Sequence, residues 1–113
     1  MFNNSFLKKL NILFIESNTE DREHFSNILY KFCSNGKDGI DNFLEKRQEY
    51  FLDIIICDKT LEDITGIEVL KKIREIDSEI PFIITSPKIE VDDLLIAIKY
   101  KATDYLSKPI NGK

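Results

Sequence analysis

Three short runs of apolar residues punctuate the chain: Ile12-Leu13-Phe14-Ile15, Ile54-Ile55-Ile56-Cys57 and Phe82-Ile83-Ile84-Thr85. None of them alternates apolar with polar positions. A strand covered by helices on both sides has no solvent face, so these runs predict parallel strands inside an α/β sheet. Between them the spacing changes to that of helices. Behind Ser17-Asn18-Thr19-Glu20, a capping-box pattern, Phe25, Ile28, Leu29 and Phe32 share one helical face. Ile40, Phe43 and Leu44 repeat the spacing, as do Ile67, Leu70 and Ile73, and then Leu94, Leu95 and Ile98 after the acidic start Asp92-Asp93. Tyr105-Leu106 supplies a last strand, and a second strand around residues 32–34 is left little room behind a full first helix. Alternating strands and helices predict a doubly wound parallel sheet of five strands.

In open sheets of this kind, ligands collect at the carboxyl ends of the strands. One step past each run stand Glu16 and Ser17, then Asp58, then Ser86, then Lys108-Pro109. Two carboxylates, a hydroxyl and an ammonium therefore converge on one crevice. A carboxylate pair is an oxygen-ligand set for a hard cation such as Mg²⁺. An adjacent lysine and hydroxyl would neutralise and hydrogen-bond phosphoryl oxygens, with Asp58 as the nucleophile and a mixed anhydride as the product. Glycine-rich phosphate loops are absent, which argues against a Rossmann or P-loop nucleotide site.

A length of 113 residues, 42% of them hydrophobic and with 8 Phe and 4 Tyr, is enough for one domain with its own core. Acidic side chains outnumber basic ones by 20 to 16, for a formal charge of −4. That balance argues against direct nucleic-acid binding, which needs a basic face. No run approaches the ~20 apolar residues of a membrane span, and residues 1–9 lack the apolar core of a signal peptide. A cytoplasmic protein with no membrane partner is expected. Cys33 and Cys57, far apart and without neighbouring His, read as small apolar residues rather than a zinc or disulfide pair. His24, beside Phe25, reads as a partly exposed helix residue, with a phosphodonor role as the alternative.

Four segments in order carry a family resemblance. Ile15-Glu16-Ser17 resembles the acidic turn of the receiver domains of two-component response regulators. Asp53 to Asp58, followed by Leu61-Glu62-Asp63-Ile64-Thr65-Gly66, resembles their phosphoacceptor strand and loop. Ile80-Pro81-Phe82-Ile83-Ile84-Thr85-Ser86 and Ala102-Thr103-Asp104-Tyr105-Leu106-Ser107-Lys108-Pro109 resemble the two remaining signatures, and the 22-residue step from Ser86 to Lys108 is the family's. The resemblance divides the chain into an N-terminal extension, 1–10, and a flavodoxin-like receiver domain, 11–113, that stops where a fifth helix would begin. It implies a signalling receiver and not an enzyme. Asp58 would be the phosphoacceptor, Glu16, Asp58 and the carbonyl of Thr60 the Mg²⁺ ligands, Lys108 the phosphate-pairing cation, and Ser86 the switch hydroxyl. Tyr105 would be the aromatic that swings inward in response, and the Lys108-Pro109 bond would be cis. The partners implied are a histidine kinase or phosphotransfer protein and a downstream signalling protein. A flank without its fifth helix would favour pairing with a second copy.

Several positions depart from the family's pattern. Ser17 stands where a second metal-binding carboxylate is usual, and losing even an outer partner commonly costs ~10–100-fold in metal affinity. Pro87 follows the switch hydroxyl and has no N–H to give a phosphoryl oxygen; a shifted register would make Thr85 the switch and Ser86 the donor. Lys101 replaces a glycine after the helix that contains Ile98, where a left-handed cap would be strained. The stretch from Ser17 to Gly36 is roughly half a dozen residues short, and that from Gly36 to Asp58 a few long. Ser17 and Pro87 support a second reading, a degenerate receiver acting as a phosphorylation-independent interaction module. A small flavodoxin-like ligand-binding domain is a third. Taken alone, an Asp after an apolar strand is as often a helix cap, and a Tyr at a strand end as often a half-buried edge residue.

Overall fold

In a computed structural model describing residues 11–18, 30–49 and 52–108, Ile12 to Ile15 are all buried. Such a segment is stable only as an inner strand. The elements run β1 (Ile12–Ile15), β2 (Tyr30–Cys33), α1 (Gly36–Glu49), β3 (Ile54–Asp58), α2 (Gly66–Ile76), β4 (Phe82–Ser86), α3 (Val91–Lys99) and β5 (Asp104–Ser107). The strands form one sheet in the order β2-β1-β3-β4-β5, and every neighbouring pair is parallel. The strand order reverses between β1 and β3, so their carboxyl ends frame the crevice where ligands bind in such sheets. Among the described residues, α1 lies on β1 and β2 and touches α2, which in turn lies on β4 and touches α3. No helix there is long and apolar enough to cross a membrane.

Two sequence expectations need correction. Phe32, placed on a helical face by its spacing, is in β2 opposite Phe14. Backbone pairing along β1 outweighs a helical spacing that the rest of the segment would have to sustain. That segment, 19–29, with His24, lies outside the described residues, as do residues 1–10 and Pro109 with the expected cis bond. The second correction concerns which apolar side chains face inward. Ile67, Leu70 and Ile73 are buried as their spacing predicts, whereas Leu44, Leu95 and Ile98 face solvent. On α3 the inner positions are Leu94 and Ala97, leaving Val91, Leu95 and Ile98 as an exposed apolar stripe at helical spacing. Lys101 does adopt a left-handed φ of 61°. The Arg74 guanidinium steadies that turn, donating to the carbonyls of Tyr100 at 3.0 Å and Lys101 at 2.8 Å.

The start of α1 is tied to the loop that follows β3. Asn35 caps the helix, its side-chain oxygen accepting from the Asp38 amide at 2.9 Å. Asp63, far away in sequence, accepts from the amides of Gly36 at 2.8 Å and Lys37 at 2.9 Å. Burial pushes the Asp63 carboxyl up, but hydrogen bonds from Lys37, Gly36 and Ile64 outweigh it and hold the group below its usual 3.8. A depressed pKa means that the folded state prefers the charged form. The stabilisation is therefore complete above the usual Asp value and fades as pH falls through the folded value. Asp63→Ala should cost about 0.5–1 kcal/mol at neutral pH, the low side for an exposed capping carboxylate. Urea denaturation at neutral pH and at successively lower pH checks this, because the gap between the parent and the variant should shrink as the pH falls through the folded value. A gap independent of pH would mean that the carboxylate's charge is not what holds the loop.

Candidate functional site

The crevice at the carboxyl ends of β1, β3 and β5 gathers three charged side chains from distant parts of the chain. Glu16 leaves β1 with 1% of its surface exposed, and Asp58 ends β3 at 5%. Lys108 follows β5 and reaches both, its Nζ lying 2.9 Å from Glu16 Oε1 and 3.2 Å from Asp58 Oδ1. The backbone puts it there, since its amide donates to the Ser86 carbonyl at 2.8 Å and carries the ladder one step past β5. Charges this deeply buried persist only when they are paired. One ammonium between two carboxylates leaves one net negative charge. Burial pushes the Glu16 carboxyl above its usual 4.5, the Lys108 hydrogen bond pulls it down, and the charge of Asp58 adds to the rise. Beneath them, burial, then the charges of Asp58, Glu16 and Asp63, push the Cys57 thiol well up, so it is inert.

The donor chemistry at this place suits a hard divalent cation. Two buried carboxylates with a residual negative charge make the kind of sparse oxygen set that Mg²⁺ uses while keeping its waters. Ser17 does not join them. Its hydroxyl donates to the Ser34 carbonyl at 2.6 Å, tying the turn after β1 to the end of β2. Thr60 is exposed and is held by a bridge to Thr65.

The Ser86 side chain bonds within its own turn. Its hydroxyl donates to the Lys88 carbonyl at 2.8 Å and accepts from the Lys88 amide at 3.3 Å, closing a tight turn around Pro87. Thr85, the register partner of Asp58, is wholly buried, and its hydroxyl has no hydrogen-bond partner among the described residues. Tyr105 is 8% exposed. The Ser86 hydroxyl makes its bonds to Lys88, and the buried phenol oxygen has no hydrogen-bond partner among the described residues. Burial is the main reason that the phenol pKa rises; Lys59 opposes the rise, and Asp93 and Glu90 add to it.

Sequence reasoning passed over three residues beside this site. Asp63 anchors the loop between β3 and α2. Lys59 and Asp93 form an ion pair at 2.7 Å, joining the residue after Asp58 to the first turn of α3. The available signal for Asp93 was only an acidic first helical turn, which the helix dipole explains by itself.

Gly66 sets the back of the site. A Cβ there would collide with the Asp58 carbonyl oxygen and lie 2.9 Å from Lys59 Cα and 3.0 Å from the Asp58 carbonyl carbon. These are backbone atoms at the strand end, which cannot rotate aside. Gly66→Ala should destabilise the fold by about 1–3 kcal/mol, read as a lower urea midpoint. An unchanged midpoint would show that the strand end gives way freely.

Comparison with known proteins places these features in context. The family model described as response regulator receiver domain matches residues 12–113. The transcriptional regulatory protein ZraR of Klebsiella oxytoca is 38% identical over 68 residues, 60% of this chain and 15% of that protein. The response regulator ArlR of Staphylococcus aureus is 36% identical over 77 residues, 68% of this chain and 33% of that protein. The chain thus spans a third or less of the length of these relatives. Among solved structures, the Mn(2+)-bound form of response regulator Rcp1 superposes with a TM-score of 0.78 at 19% identity, covering 90% of this chain and 83% of that one.

Proposed function

The chain belongs to the response regulator receiver domain family, and from that membership we propose that it is a two-component signalling receiver whose Asp58 accepts a phosphoryl group. The observation that carries this reading is the Asp58 carboxylate, buried at the end of β3 with the Lys108 ammonium 3.2 Å from Oδ1. The donor is a phosphohistidine on a partner histidine kinase or phosphotransfer protein. An Asp58 oxygen forms the new bond to phosphorus as the P–N bond breaks. The departing imidazole keeps the electron pair and takes a proton from solvent. Lys108, pre-placed between the carboxylates, neutralises charge on the phosphoryl oxygens. Glu16, Asp58 and the Thr60 carbonyl would hold Mg²⁺. When bound, the ion supplies further neutralisation of those oxygens.

The output follows from Ser86 and Tyr105. A phosphoryl group on Asp58 competes with Lys88 for the Ser86 hydroxyl, and the hydroxyl's departure changes the surroundings of the Tyr105 phenol. Because that ring is already buried, the response is a repacking of a buried group in place of an inward swing. The exposed stripe of Val91, Leu95 and Ile98 on α3 is the surface on which a downstream signalling protein or a second copy of the chain would read the change. The domain thus works as a substrate and relay, not an enzyme with its own diffusible substrate, and this reading carries a cytoplasmic location with it. The alternative, a phosphorylation-independent interaction module, rests on Ser17 and Pro87 and draws no support from the comparisons.

Intact mass after incubation with acetyl phosphate and Mg²⁺ tests the proposal. The chain should gain the mass of one phosphoryl group, and Asp58→Asn should gain none. An unmodified chain with both acetyl phosphate and a phosphorylated histidine phosphotransfer protein would sink the phosphoacceptor reading.

A further inference from the structure

Lys59 follows the acceptor directly, and its backbone cannot move freely. Its amide donates to the Thr85 carbonyl at 2.8 Å, and its carbonyl accepts from the Gly66 amide at 2.7 Å. Only the side chain is left to respond to events at Asp58. That side chain crosses to α3, where Nζ meets Asp93 Oδ2 at 2.7 Å with the two side chains 23% and 27% exposed. The start of α3 needs such a tether. Its N-cap residue, Glu90, makes no side-chain cap hydrogen bond, so the first turn is held by the Leu94 amide bonding to the Glu90 carbonyl at 2.9 Å and by this ion pair. The charges of both partners also act on the buried Tyr105 phenol, Lys59 lowering its pKa and Asp93 raising it.

Resting on the receiver reading, we propose that the Lys59–Asp93 ion pair couples Asp58 to α3: a phosphoryl group on Asp58 draws the Lys59 ammonium from Asp93 and loosens the first turn of the helix. Phosphorylation adds about one negative charge next to Lys59 in the chain. A partly exposed pair shifts a local equilibrium by only about two- to fivefold, so an added neighbouring charge is enough to offset it. The groups whose charge acts on Lys59 are Asp93 first, then Tyr105 and Glu90.

Hydrogen exchange at the Leu94 amide reads the tether, and intact mass of the same samples reads phosphorylation. At rest, Lys59→Met and Asp93→Asn should exchange about two- to fivefold faster than the parent chain. With acetyl phosphate and Mg²⁺ the parent should accelerate to that level while the two variants stay where they were. The charge-swapped chain, Lys59→Glu with Asp93→Lys, should regain slow exchange at rest and remain slow when Asp58 is phosphorylated, because an acidic residue 59 is not drawn to the phosphoryl group. Resting exchange in both single variants equal to the parent's would overturn the proposal, as would release in the charge-swapped chain. Phosphoryl uptake by the parent with unchanged Leu94 exchange would also overturn it, leaving the receiver reading intact. No uptake by the parent would defeat that reading and this proposal together.

Discussion

Lys108→Met should lower phosphoryl uptake by Asp58 about 10²- to 10³-fold, the loss typical of removing one preorganised charge from a buried reaction centre. The reason is geometric as well as electrostatic. The ammonium already lies 2.9 Å from Glu16 and 3.2 Å from Asp58, so it meets the incoming phosphoryl group without reorganising. Methionine has similar length and no charge. It would leave two carboxylates buried at 1% and 5% exposure without the ammonium that pairs with both. Breaking a buried pair in this way costs about 3–5 kcal/mol, and protonation of one carboxyl keeps the loss near the lower figure. Uptake and stability should be measured together, by intact mass over time and by urea denaturation. Lys108→Arg retains the charge, so it should recover most of the stability. Its planar fork cannot bridge the same two oxygens in the same way, and uptake should recover only in part. A methionine variant phosphorylated at the parent rate would remove Lys108 from the mechanism and leave it a purely structural counter-ion.

That trio is the part of the site most legible in the sequence. Glu16, Asp58 and Lys108 each end or follow a run whose composition identifies a buried strand, and in a parallel sheet the ends of neighbouring strands must meet. Glu16 and Asp58 end neighbouring strands, whereas Lys108 follows β5 on the far side of β4, so its reach to both carboxylates rests on its long side chain as well as on the topology. What stayed hidden are contacts that no local pattern encodes. The Ser17 hydroxyl bonds to the Ser34 carbonyl 17 residues away, and Asp63 reaches Gly36 across 27 residues; nothing in either segment names its partner. Ser86 was legible as a strand-end hydroxyl, but its turn toward Lys88 depends on the backbone path around Pro87. Tyr105 was legible as the ring beside the switch, yet its burial depends on how α3 packs.

The helical faces show the same limit in another form. Leu94, Leu95 and Ile98 are equally apolar, and periodicity alone cannot say which arc of a helix faces the sheet. Ala97 decides it in the structure, because a small residue lets α3 approach closely and is itself 1% exposed. The larger Leu95 and Ile98 are then turned outward at 59% and 62% exposure. Leu94 and Ile96 also pack against the core, so α3 carries large apolar residues on its outer arc in addition to an ordinary apolar inner one. Burial gained within the domain does not account for those outer side chains, which fits their use as a contact surface.

Ser17→Asp should raise Mg²⁺ affinity about 10–100-fold and thereby show what the missing carboxylate costs. Among the described residues the crevice has two carboxylates, and one ammonium already neutralises half of their charge. A third carboxylate beside Glu16 would restore a second full negative charge for a divalent ion to meet. The substitution also has a price in the apo protein. The Ser17 hydroxyl donates to the Ser34 carbonyl at 2.6 Å, and an aspartate carboxylate cannot donate. Losing that bond should cost about 1 kcal/mol, with crowding of like charges adding to it. The variant should therefore melt below the parent without metal and gain more from each addition of Mg²⁺, by the linkage of ligand binding to folding. With enough Mg²⁺ the two melting curves should cross. Titration by calorimetry gives the affinities directly, and phosphorylation at limiting Mg²⁺ shows whether the gain reaches the chemistry. Equal Mg²⁺ affinity in the two chains would mean that position 17 does not face the ion, and that Glu16, Asp58 and the Thr60 carbonyl already form the whole protein contribution to the metal site.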